Sequence, residues 1–95
     1  MTRIAWAPQA VDDLEAIRAY VARDSPHYAD LVVERIVAAV ALLESNPRSG
    51  RVVPEVGDES LREVIHGNYR LVYRLRHESI EIATVFHGAR LFRLD

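Results

Sequence analysis

Arginine dominates the chemistry available to this chain. All 12 basic residues are arginine, and six of them fall between residues 62 and 93. With three acids in the same stretch, that segment carries +3, whereas residues 1–61 carry −4. The segment YRLVYRL (69–75) sets Tyr69, Leu71, Tyr73 and Leu75 in alternation with Arg70, Val72 and Arg74, the period-two pattern of a strand with one apolar face. Closing a hairpin through His77 and Glu78 places Leu75 opposite Ile80, Tyr73 opposite Ile82, Leu71 opposite Thr84 and Tyr69 opposite Phe86. Opposed residues share a face, so this register gathers the large apolar side chains. It also predicts Arg74 opposite Glu81, Val72 opposite Ala83 and Arg70 opposite Val85, with His87 diagonal to Arg70 and Arg90 just past the strand.

Arginine stabilises phosphoryl charge and binds carboxylates in a planar fork, and histidine moves protons near neutral pH. Arg70, His87 and Arg90 are therefore the candidate catalytic trio, should the chemistry be nucleolytic. Arg62, Arg70, Arg74, His87 and Arg90 are the candidate contacts for a target or partner. Plainer roles stand beside these. Arg74 with Glu81 reads as a cross-strand ion pair worth less than about 1 kcal/mol when exposed, Arg76 reads as solvated, and a strand histidine equally serves packing. Arg70 stands apart: its expected neighbour is Val85, and Glu63 is an acid that the preceding strand offers it.

Composition removes other classes. Cysteine is absent, which excludes disulfide and thiol chemistry and suits a reducing cytoplasm. Four histidines without close spacing predict no metal site. Phosphate-binding glycine loops, nucleophile elbows and dinucleotide fingerprints are missing, so no cofactor is expected. No apolar run approaches the roughly 20 residues of a membrane span, and no secretory leader is read at the N-terminus. A net charge of −2 argues against a general nucleic-acid binder. The all-arginine bias suits bidentate recognition, and a GC-rich genome would produce it too.

These residues need elements to hold them. RIAWA (3–7) reads as a short strand, with Ile4 and the core anchor Trp6 on one side. Pro8 opens a helix whose stripe is Ala10, Leu14, Ile17 and Val21. Ser25 caps a second helix, with Pro26 as its first residue and Ala29, Val32, Val33, Ile36, Val37, Val40 and Leu43 as its apolar face. Pro47 ends it. A 14-residue connection, 47–60, is expected to cross the surface, tied down by Val52, Val53 and Val56; connections of that length are often functional. Strands at about 61–66, 69–76 and 79–87 follow, turning at Gly67-Asn68 and His77-Glu78. The expectation is one α+β domain over residues 1–95, β-α-α-β-β-β, with an antiparallel sheet packed on a helical hairpin.

Four segments, WAPQAVDDLEAIRAYV (6–21), NPRSGRVVPE (46–55), REVIHGNYRLVYRL (62–75) and VFHGARLF (85–92), resemble the RelE/ParE superfamily of bacterial type II toxin–antitoxin toxins. They occur in family order over nearly the whole chain. The superfamily has the same β-α-α-β-β-β arrangement. Its RelE-like branch cuts messenger RNA on the ribosome with arginines that match Arg70 and Arg90. That branch has lysines on the preceding strand, where this chain has Leu61 and Glu63, and a C-terminal tyrosine that this chain lacks. Some members place a catalytic histidine near His87 with a tyrosine after it; here Gly88 follows.

The ParE-like branch poisons DNA gyrase, and GRVVPE and HGAR look more like that branch. The resemblance implies a cognate antitoxin as partner in either case. Gyrase is then the favoured target, ribosome-bound messenger the alternative, and a non-toxic antitoxin-binding module a further one. No membrane partner is implied, and assembly would be as a homodimer or a toxin–antitoxin hetero-oligomer.

Overall fold

A computed structural model describes residues 2–88. The elements run β1 (Arg3–Trp6), α1 (Pro8–Ala22), α2 (Pro26–Ala41), a 3-10 turn (Leu42–Glu44), β2 (Arg51–Val52), β3 (Leu61–His66), β4 (Tyr69–Leu75) and β5 (Ser79–His87). This is the α+β order that the pattern predicts with one addition, the two-residue β2 inside the 47–60 connection. The sheet order is β1-β5-β4-β3-β2. β1 lies parallel to β5, and the other neighbours are antiparallel.

Local signals act where they stand. Pro8 occupies the first turn of α1, where its missing N–H costs no hydrogen bond. The Ser25 hydroxyl accepts the Tyr28 N–H at 3.2 Å, capping α2. Gly67 takes φ +57° in the β3–β4 turn, a conformation that side chains with a Cβ disfavour. The helices are tied by an exposed Arg18–Asp30 ion pair.

The sheet has a core on each face. Toward the helices, Leu71, Tyr73, Ile80, Ile82 and Val85 pack with Ala10, Ile36, Val40 and Leu43, while Ile4, Trp6, Leu14 and Ile17 border them. On the outer face Val53, Leu61 and Val72 pack with Ala83 and Phe86. Leu71, Val72 and Tyr73 are consequently all buried, although alternation implies one wet face. The 47–60 connection supplies the second cover through Val53. Val56 is 43% exposed and does not anchor it, and Val37 likewise stays 43% exposed on α2.

The β4–β5 register begins as expected, with Leu75 opposite Ile80, Arg74 opposite Glu81 and Tyr73 opposite Ile82. A bulge then intervenes, and Val72 pairs with Thr84, Leu71 with Val85, Arg70 with Phe86 and Tyr69 with His87. Ala83 is the extra residue. A bulge shifts every later residue by one position, which exchanges the faces. Val85 therefore joins the core instead of flanking Arg70, Phe86 moves to Arg70's side, and His87 moves to the side of Tyr69.

Candidate functional site

Arg70 sits in the middle of the sheet with its side chain only 8% exposed. A guanidinium so placed requires paired anions, because burying an uncompensated charge is prohibitive. Two carboxylates meet it. Glu63, opposite Val72 on β3, is 1% exposed and accepts from Arg70 Nε at 2.7 Å. Glu55, from the long connection, accepts from Nη1 at 2.6 Å and Nη2 at 2.8 Å, one oxygen for each nitrogen. Phe86 lies beneath, with the guanidinium carbon 5.1 Å from the ring centroid. Glu63 is shared with Arg51 of β2, whose Nε donates at 2.6 Å. Arg51, Glu63, Arg70 and Glu55 thus form a chain of alternating charge, and the Glu55 bonds above all hold the Arg70 pKa above its already high value.

The loop that brings Glu55 is itself anchored by β4. The Tyr73 hydroxyl, buried beneath it, accepts the Gly50 N–H at 3.0 Å and donates to Pro47 O at 2.7 Å. Burial raises the Tyr73 pKa, and the Gly50 bond opposes that in part. A Cβ at Gly50 would stand 2.6 Å from Glu63 O and 2.7 Å from the Tyr73 hydroxyl, so the chain passes here only without a side chain. Arg62 braces the same loop, donating to Glu59 O at 2.7 Å and Gly50 O at 3.1 Å. Asp58 accepts from the Ser60 hydroxyl at 2.7 Å and its N–H at 2.8 Å; these bonds lower its pKa, and Arg74 adds a smaller attraction.

The predicted site residues therefore divide. Arg70 and His87 line one open depression of about 290 Å³, with Arg51, Ile65, Gly67, Asn68 and Gly88. They reach it from different faces: His87 makes an edge contact with Tyr69, ring centroids 6.0 Å apart. Arg62 and Arg74 lie away from it on the loop side, and Arg90 falls outside the described residues. The anticipated Arg74–Glu81 pairing holds in register, while the ion pair to Glu81 comes from Arg76, exposed and 3.2 Å long. A second depression, of about 240 Å³, lies between β1 and α2, lined by Ile4, Trp6, Val37, Val40, Ala41 and Glu44. Among the described residues no His/Cys/Asp/Glu cluster has metal-binding form, and no helix is long and apolar enough to cross a membrane.

Glu55 is the site residue that pattern reading missed. Its one signal was negative: a strand arginine beside apolar neighbours needs acids, and the loop sequence VPEV offers one.

The fold is that of a RelE/ParE-type toxin. A family model for the ParE toxin of type II toxin–antitoxin systems, parDE, matches residues 4–92. A putative toxin Y4kP from Sinorhizobium fredii is 38% identical over 88 residues, covering 90% of this chain and 88% of its own. Toxin RelE2 from Caulobacter vibrioides is 32% identical over 92 residues, covering 96% of this chain and 100% of its own. The solved chromosomal ParDE system from P. aeruginosa superposes with a TM-score of 0.75 at 24% identity, over 92% of this chain and 96% of that one. The heterotetrameric YoeB–YefM toxin–antitoxin complex of Staphylococcus aureus does so with 0.54 at 19% identity, over 88% and 93%. This chain belongs to the ParE toxin family and is a toxin of the type II toxin–antitoxin class.

Proposed function

We propose that this toxin acts in the ParE manner, by poisoning DNA gyrase, and that a cognate antitoxin encoded with it neutralises it. The observation that carries this reading is the pairing of Arg70. A nuclease needs its strand arginine turned toward a scissile phosphate, with a proton donor and acceptor in reach. Here the guanidinium is bound to Glu63 and Glu55 at 2.6–2.8 Å. Glu63, moreover, stands on the strand where the RNA-cutting branch carries lysines. It puts a negative charge beside the place where a phosphate would bind. His87 is the remaining proton carrier of the depression among the described residues, and it is stacked edge-on to Tyr69.

Messenger cleavage on the ribosome is the second reading. It is kept because Arg70 and His87 line one depression. Expression of the chain alone in a bacterial host tests the class: growth arrest with filamentation and induction of the DNA-damage response supports gyrase poisoning. Growth arrest with rapid loss of translated messenger and no DNA damage supports the second reading. Unchanged growth overturns toxicity itself.

A further inference from the structure

The geometry points to a carboxylate-binding site on the outer sheet face, Arg70 stacked on Phe86, that Glu55 of the same chain occupies and that we propose an acidic segment of a partner polypeptide takes by displacing Glu55. The fork is built for a planar carboxylate: Nη1 and Nη2 each meet a separate Glu55 oxygen, at 2.6 and 2.8 Å. The guanidinium is fixed from behind, by Glu63 at 2.7 Å from Nε and 2.5 Å from Nη2, and by the Phe86 ring. A ligand therefore finds the donors already oriented.

The two carboxylates differ in the way an exchange requires. Glu63 is 1% exposed, on a paired strand, and shared with Arg51. Glu55 lies on an exposed turn, and its side chain is 25% exposed. That turn is closed on itself: the N–H groups of Val56 and Gly57 donate to Val53 O, and Leu61 N–H donates to Asp58 O. With the turn held between the buried anchors Val53 and Leu61 and by the Arg62 bond to Glu59 O, the Glu55 side chain is able to swing outward while those backbone bonds stay in place. That movement opens the Arg70 fork to an outside carboxylate beside the Phe86 ring, with Ile65, already 53% exposed, next to Arg70 on the same face. The occupant this combination fits is a polypeptide acid flanked by apolar side chains, the character of VPEV itself.

A tethered carboxylate competes at an effective concentration in the millimolar range for a short flexible connection. An outside carboxylate thus binds weakly until Glu55 is neutralised. The test follows by nuclear magnetic resonance on the full chain, with hexaglutamate and inorganic phosphate as separate probes and the Arg70 Nε–H signal as reporter. Glu55→Gln is expected to bind hexaglutamate at least about tenfold more tightly than the parent, by removal of that competitor; Glu81→Gln, at the exposed Arg76 pair, is expected to bind it like the parent. Equal affinity in the parent and Glu55→Gln overturns the site, as does equal tightening in Glu81→Gln. Phosphate binding Glu55→Gln as tightly as hexaglutamate does overturns the carboxylate assignment. Should Glu55→Gln fail to fold, the parent decides. A saturable shift of the Glu55 carboxyl carbon on adding hexaglutamate, with none on adding hexaglutamine, supports displacement, and no shift overturns it. None of these readouts depends on toxicity or on gyrase.

Discussion

Asp13 on α1 accepts the backbone N–H of Val85 on β5 at 3.0 Å, and the same oxygen takes the Thr84 hydroxyl at 2.5 Å. This contact sits beside the bulge that Ala83 introduces. A bulge disrupts the ladder locally, and a helix carboxylate supplies the partner that Val85 N–H uses. The bulge is what turns Val85 inward and Phe86 toward Arg70, so Asp13 secures the register on which the site depends. Asp13→Ala is expected to cost about 1–3 kcal/mol, the scale of a buried donor left unpaired. Asp13→Asn, which keeps an acceptor, should cost less. Urea unfolding of both variants measures it.

Arg70→Ala should destabilise rather than merely silence. It leaves Glu63, 1% exposed, with half of its counter-charge gone, and breaking a buried pair typically costs about 3–5 kcal/mol. Arg76→Ala, at an exposed pair 3.2 Å long, should stay within about 0.5 kcal/mol. The contrast is read by urea denaturation, before any toxicity measurement on Arg70 variants is interpreted. From the alternation alone, Arg70 would be a surface group removable without harm to the fold; the buried network reverses that.

Tyr73 carries both core and loop. Tyr73→Ala should cost about 3–5 kcal/mol, as large aromatic truncations in cores do. Tyr73→Phe keeps the ring and removes the partner of Gly50 N–H and Pro47 O, at about 1–3 kcal/mol. It should also change the alkaline limb. The folded-state pKa of Tyr73 is raised by burial, so the stability from keeping the phenol protonated is complete below its ordinary value of about 10. It is lost as pH rises from there through the folded-state value. Unfolding free energy measured from pH 9 to 11 should fall for the parent and fall less for Tyr73→Phe.

Periodicity made the elements and the inner core legible, because a strand or helix with one buried face writes its period into the sequence. Proline and serine at 8, 25 and 26 marked the helix starts for reasons that do not depend on distant contacts. The three pairs nearest the β4–β5 turn followed from loop length alone. What stayed hidden was set by tertiary contact. The Ala83 bulge leaves no composition signal, since IEIATVFH alternates acceptably in either register. Val53 was legible as an anchor of the 47–60 connection and is fully buried, but the outer core it completes was not, because a loop without periodicity does not show which face it covers. Glu55 was invisible for the same reason, although the unbalanced charge of Arg70 called for an acid.

Inhibition of gyrase tests the central claim most directly. The purified chain is mixed with gyrase, ATP and relaxed plasmid, and in parallel with ribosomes translating a defined messenger. Gyrase poisoning predicts loss of supercoiling that rises with toxin concentration, accumulation of cleaved plasmid, and an intact messenger. Unimpaired supercoiling together with cuts in the ribosome-bound messenger would contradict it, and would mean that Arg70 serves a phosphate despite its two carboxylates.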